Sequence, residues 1–161
     1  MKTLYILRHA KSSWDDAILS DFERPLNERG LEAAPLMGEM MKKNNFQPDI
    51  IISSPATRAK QTASLIKDAA QIVGEIKFDE RIYEASPRSL VEVVSEIDDR
   101  NETALIVGHN PGLESLIKIL TGKLEPMPTA ALAVVDLNIE RWSEINSSTG
   151  SLRILIRPKD F

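Results

Sequence analysis

The sequence predicts an α/β protein: a three-layer α/β/α sandwich on a mixed, mostly parallel sheet of about six strands. Three observations predict it. Short apolar runs alternate with helical patterns along the chain. Two of those runs, Asp49–Ser53 and Thr103–Val107, are almost continuously apolar, as in strands covered by helices on both faces. Three Ser-Pro or Asn-Pro pairs open helical stretches, each a helix-start signal.

The first strand is expected at Thr3–Leu7. A polar connection, Lys11 to Leu26, follows and contains Trp14 and Phe22; loops of this length inside compact domains are usually functional. Asn27 is read as the cap of a helix running to about Lys43, which Pro35 should kink or shorten. After the strand Asp49–Ser53, Ser54 reads as an N-cap and Pro55 as a first-turn proline. The helix they open would align Ala59, Ala63, Ile66, Ala70 and Val73 on one buried stripe. A strand at Glu75–Phe78 precedes the Ser86-Pro87 start and its apolar positions Leu90, Val91, Val94 and Ile97. Thr103–Val107 leads to Asn110-Pro111, with Asn110 as cap, and to a helix carrying Leu113, Leu116, Ile117 and Leu120, stopped by Gly122. A second aperiodic stretch, Gly122 to Thr129, precedes strands at Ala131–Leu137 and Leu152–Arg157.

Composition narrows the function. At 161 residues the chain is expected to form one domain, residues 1–161, with an ordinary globular balance of 42% apolar and 27% charged residues. The net charge of -4 and the lack of a basic cluster argue against a nucleic-acid partner. With no cysteine, disulfides, thiolate nucleophiles and cysteine-bound metals are excluded. The apolar run at the start is too short for a signal peptide, and nothing approaches the roughly 18 apolar residues of a membrane span. No membrane partner and a cytoplasmic location are expected.

The chain has only two histidines, and each directly follows an apolar strand run. His9 ends Thr3-Leu4-Tyr5-Ile6-Leu7-Arg8-His9, and His109 ends Ala104-Leu105-Ile106-Val107-Gly108-His109. Ligands of open α/β sheets bind outside the carboxyl ends of the parallel strands, so the two imidazoles can face one pocket. Singly, each has an ordinary reading, His9 as a loop residue and His109 as a core histidine bonded to backbone. Arg8 beside His9 is costly unless an anion is expected there. Arg58, in the first turn of a helix behind the second strand, sits where free N–H groups and the helix dipole already favour an anion. Two guanidinium groups and two imidazoles around one space describe a phosphoryl pocket. A metal site is disfavoured: carboxylates at ligand spacing are missing and the arginines repel a cation.

Four segments carry a family resemblance: Leu7-Arg8-His9-Ala10, Arg24-Pro25-Leu26-Asn27-Glu28-Arg29-Gly30, the run from Ser53 to Ala63, and Val107-Gly108-His109-Asn110-Pro111. In that order they resemble the histidine phosphatase superfamily of phosphoglycerate-mutase-like folds. Within it the chain is most similar to the short SixA-type phosphohistidine phosphatases. The resemblance covers Leu4 to about Leu137.

The resemblance implies that His9 is a nucleophile forming a phosphohistidine intermediate. Arg8, Arg58 and His109 would hold the phosphoryl oxygens, and no cofactor or metal would be required. Arginines nearby should keep His9 neutral. In Asp79-Glu80-Arg81-Ile82-Tyr83-Glu84-Ala85, Glu80 matches the family's general acid best and Glu84 second; either reads equally well as a solvated carboxylate. Some positions depart from the family. Ala10 stands for a usual glycine. Asp15 stands for an asparagine that donates to phosphate, a role a carboxylate cannot take. Asp21 and Arg24 read as an ion pair bracing the long loop, with Arg24 reaching the pocket as the other possibility, and Thr129 is a candidate from the second loop. The resulting expectation is a metal-independent hydrolase of phosphohistidine in a protein partner. The alternatives are a phosphatase of a small phosphomonoester such as a sugar phosphate or nucleotide, and a non-catalytic phosphate-binding module.

Overall fold

The computed structural model describes residues 1–160; Phe161, the last residue of the expected domain, lies outside them. Six strands form one sheet in the order β3-β2-β4-β1-β5-β6. They are β1 (Lys2–Arg8), β2 (Ile50–Ser53), β3 (Ile76–Phe78), β4 (Thr103–Gly108), β5 (Leu132–Leu137) and β6 (Gly150–Ile156). The first four run parallel to one another, whereas β5 is antiparallel to both its neighbours, β1 and β6. The expected mixed sandwich is therefore the observed one, with strand ends shifted by no more than two residues.

Four helices cover the sheet: α1 (Glu28–Lys43), α2 (Thr57–Ala70), α3 (Pro87–Ser95) and α4 (Gly112–Thr121). Alternation along β1 separates two cores. Leu4 and Ile6 pack with Leu90, Val94, Leu113 and Ile117 of α3 and α4, whereas Tyr5 and Leu7 pack with Met37, Met41, Ala63 and Ile66 of α1 and α2. Chain leaving β1 thus turns to one face and chain leaving β4 to the other. Because β1 and β4 are neighbours, the crevice between them is the topological switch point at which such folds place their ligands.

Several local expectations change. Pro35 does not end α1; the carbonyl its missing N–H leaves without a helical donor belongs to Leu31, an exposed residue. Val73 is not on the buried stripe: α2 stops at Ala70, Gln71 turns left-handed (φ 55°), and Val73 is 95% exposed. Asn27 and Ser86 do cap, accepting from the backbone N–H of Gly30 and Ser89. Ser54 and Asn110 do not. The N-cap of α2 is Ala56 and that of α4 is Pro111, neither with a side-chain cap. Both polar side chains are drawn instead into the site described below. Gly108 has no positive φ; its lack of a side chain leaves room for Ile82, which a Cβ would meet at 3.0 Å.

Candidate active site

Sheet register builds the site. Arg8 of β1 pairs with Gly108 of β4, so His9 and His109, the next residues, stand side by side. The His9 N–H donates to the Gly108 carbonyl at 3.0 Å, and the two ring centres are 5.1 Å apart. Ser53 of β2 pairs with Val107, which brings Ser54 beside His109 and puts Arg58 at the second residue of α2. The second aperiodic loop closes the wall: Ala130 N–H donates to the carbonyls of Arg8 and His9. Arg8, His9, Arg58, His109, Asn110, Trp14, Asp15, Arg24 and Thr129 all line one cavity of about 540 Å³.

The tautomer of His9 follows from its partner. His9 Nδ1 lies 2.6 Å from the Ala10 carbonyl, which can only accept, so Nδ1 carries the proton and the lone pair is on Nε2. Burial, aided by Arg58, Arg8 and Arg24, pushes the His9 pKa down to about 4 against the pull of that carbonyl. His109 Nε2 lies 2.8 Å from Ser54 Oγ, and its Nδ1 is buried without a partner. Burial, then His9 and Arg58, push its pKa down to about 3. Both rings are neutral near pH 7.

Asp21 organises the cations. On the 3-10 turn Asp21–Glu23, its carboxylate accepts from Arg58 Nη2 (3.0 Å), from Arg24 Nε and Nη2 (3.2 and 3.1 Å), and from Tyr83 Oη (2.6 Å). Its carbonyl accepts a further bond from Arg58 Nη1 at 2.6 Å. The Tyr83 hydrogen bond, followed by those of Arg58, holds the Asp21 pKa down to about 2. Asp21 therefore does more than pair with Arg24. It aims Arg58, a function that a contact across 37 residues hides from any local reading. Arg24 lines the cavity, but its donors are spent on Asp21, Ser12 and Ser13.

Four buried side-chain polar atoms lack a partner among the described residues: Arg8 Nε, Arg58 Nε, His109 Nδ1 and Asn110 Oδ1. All belong to residues lining this one cavity. Buried donors are nearly always paired, so the two unpaired guanidinium N–H groups beside His9, with the unpartnered Nδ1 of His109, describe a site suited to an anion's oxygens. A second cleft, about 370 Å³ beside the edge strand β3, holds charges already paired, Arg81 with Asp79 and Glu96, and no such orphan.

Glu80 and Glu84 do not join the group. Both are exposed, neither side chain makes a hydrogen bond, and neither lines the cavity. From that segment it is Tyr83 that reaches His109, edge-on with ring centres 5.5 Å apart. The methyl of Ala10 points into a small cluster with Leu26, Ala34 and Ala130, and its N–H is taken by Thr62 Oγ1 at 3.0 Å, so it is not offered to the cavity.

Gly30 is also tied to the site. A Cβ there would lie 2.2 Å from the Lys11 carbonyl, which accepts from Asn27 N–H and fixes the chain two residues past His9. Gly30→Ala is expected to cost about 1–3 kcal/mol and to lower activity through the displaced loop. A melting curve and an activity assay on the one variant check it; an unshifted melt would show that α1 yields without cost.

The geometry defines an α/β protein with an anion-suited cavity at the carboxyl edge of its sheet. Comparison with known proteins makes this specific. Residues 4–90 match the family described as the histidine phosphatase superfamily (branch 1), and the chain belongs to it. The uncharacterized protein Rv1276c of Mycobacterium tuberculosis is 31% identical over 91% of this chain and 96% of its own. The Agrobacterium tumefaciens protein designated a phosphohistidine phosphatase SixA superposes with a TM-score of 0.85 at 26% identity, over 98% of both chains. The protein histidine phosphatase SixA complexed with tungstate shares the fold, with a TM-score of 0.81 at 22% identity over 98% of both chains. Family and site together support a phosphatase. Among the described residues, no three His, Asp or Glu side chains gather as a metal site, and no helix is long and apolar enough to cross a membrane.

Proposed function

We propose that this chain is a phosphohistidine phosphatase acting on a protein, with His9 as nucleophile and Arg8, Arg58 and His109 as the phosphoryl clamp. The observation that carries the reading is the set of unpartnered buried nitrogens, the donors Arg8 Nε and Arg58 Nε with His109 Nδ1, beside a histidine whose Nε2 bears a free lone pair. In the first step Nε2 of His9 bonds to phosphorus as the substrate's P–N bond breaks. The departing imidazole, protonated on its other nitrogen, leaves neutral. In the second step water bonds to phosphorus, the bond to His9 breaks, and the water's proton passes to phosphate or solvent. The clamp stabilises charge on the equatorial oxygens in both steps, so no metal is needed.

The leaving group supports the substrate class. An alkoxide needs an acid, and Glu80 is exposed with no contact in the cavity. An imidazole that leaves neutral does not. Turnover in EDTA of a phosphohistidine protein against a panel of sugar phosphates and nucleotides tests this. Strong preference for the phosphoprotein, undiminished in Glu80→Gln, is expected. Efficient hydrolysis of one small ester, lost in Glu80→Gln, would replace the reading with metabolite chemistry. Tight phosphate binding without phosphorylation of His9 would reduce the protein to a binding module.

A further inference from the structure

Trp14 stands in the wall of the His9 cavity, on the loop after β1, and is 76% exposed. The chain's other tryptophan, Trp142, is completely buried. Trp14 differs from a stray surface aromatic in being held. The guanidinium carbon of Arg24 lies 3.5 Å from its ring centre, a stacked cation–π contact. Arg24 is itself 8% exposed and bonded to Asp21, Ser12 and Ser13. The contacts run from Arg58 through Asp21 and Arg24 to Trp14, so the indole is set at a fixed offset from the phosphoryl clamp. One face rests on Arg24, and the residue is otherwise largely exposed at the rim of the cavity.

We propose that Trp14 is the specificity-determining residue of this phosphatase: its open indole face stacks on the imidazole ring that carries the phosphoryl group. The inference rests on the phosphohistidine reading above and names what recognises the ring. A phosphoryl group seated on Arg8, Arg58 and His109 must present whatever carries it on the side away from His9, because the nucleophile attacks in line with the leaving group. A planar ring bonded directly to phosphorus offers a face to an aromatic platform, whereas a CH₂–O linkage does not. The indole face also attracts positive charge, which favours the substrate's ring once it is protonated on its other nitrogen, before the P–N bond breaks. Because the platform is held before substrate arrives, little ordering opposes the contact.

The test compares two substrates that share the P–N bond: a phosphohistidine peptide, and phosphoramidate, which has no ring. In Trp14→Ala, kcat/KM for the peptide is expected to fall about 10-fold, chiefly through KM, while phosphoramidate turnover stays within about 2-fold. Trp14→Phe should recover most of the loss. In a His9→Ala background, which cannot turn over, adding the peptide should shift emission from the exposed Trp14, and the shift should vanish in Trp14→Phe. Equal losses on both substrates would show Trp14 to be only a prop for Arg24, and no loss on either would also overturn the proposal. Wild-type protein that ignores the phosphohistidine peptide would overturn the parent reading and this one together. Wild-type turnover that Trp14→Ala leaves unchanged would overturn this one alone.

Discussion

His9→Ala is expected to lower turnover on the order of 10⁴-fold or more, the scale on which loss of a nucleophile is felt when clamp and binding remain. The variant should still bind inorganic phosphate, because Arg8, Arg58 and His109 are untouched. Quenching in alkaline denaturant during turnover should trap phosphate on the wild-type protein and none on the variant; phosphate trapped on the variant would place the nucleophile elsewhere. The same residue gives a pH signature. His9 and His109 have ordinary values of 6.5 and are held down to about 4 and about 3 in the folded chain. An NMR titration of the free protein should therefore show neither imidazole charging near pH 6.5. Between pH 6.5 and 4 the unfolded chain binds more protons than the folded one, so stability, complete above 6.5, declines as pH falls through that window. A histidine titrating near 6.5 in the folded protein would contradict the burial on which its nucleophilicity depends.

Arg58→Ala should cost about 10²- to 10³-fold in kcat, the range for removing a donor aimed at developing charge. Arg58→Lys should recover little. Arg58 spends Nη1 and Nη2 on Asp21 and leaves Nε without a partner, a division that needs the planar fork. Asp21→Asn leaves Arg58 in place but weakens its anchor, and an intermediate loss is expected. Kinetics of the three variants, read with a bound phosphate analogue, check the ranking. Full activity in Arg58→Lys would show that only a point charge is required.

Much of the site was legible because the residues concerned are local to strand ends. Arg8-His9 and Gly108-His109 follow apolar runs, and Arg58 lies in the first turn after another, so knowing that the strands are parallel was enough to converge them. The general acid was less legible. Asp79 to Ala85 contains two glutamates matching a pattern, yet the side chain that turns toward His109 is Tyr83. Which face of a short 3-10 turn looks inward is decided by Ile82 anchoring in the core, not by the turn's own residue types. Ser54 and Asn110 misled for a related reason. Each has the right type for a cap, but His109 lies within hydrogen-bond reach of Ser54, and Glu114 and Met127 engage Asn110.

By itself, then, the sequence determined the layered α/β class, the order of strands and helices along the chain, and the four residues brought together around the His9 cavity. Periodicity and strand-end position are local properties that survive without coordinates. The tertiary structure alone decided the tautomer of His9, the tethering of Arg58 and Tyr83 to Asp21, the close approach of Gly30 to Lys11, and the pinned indole of Trp14. Each of these depends on which distant segment arrives within about 3 Å of a given atom. Hydrogen bonds and burial act over that range, and residue type does not specify the partner.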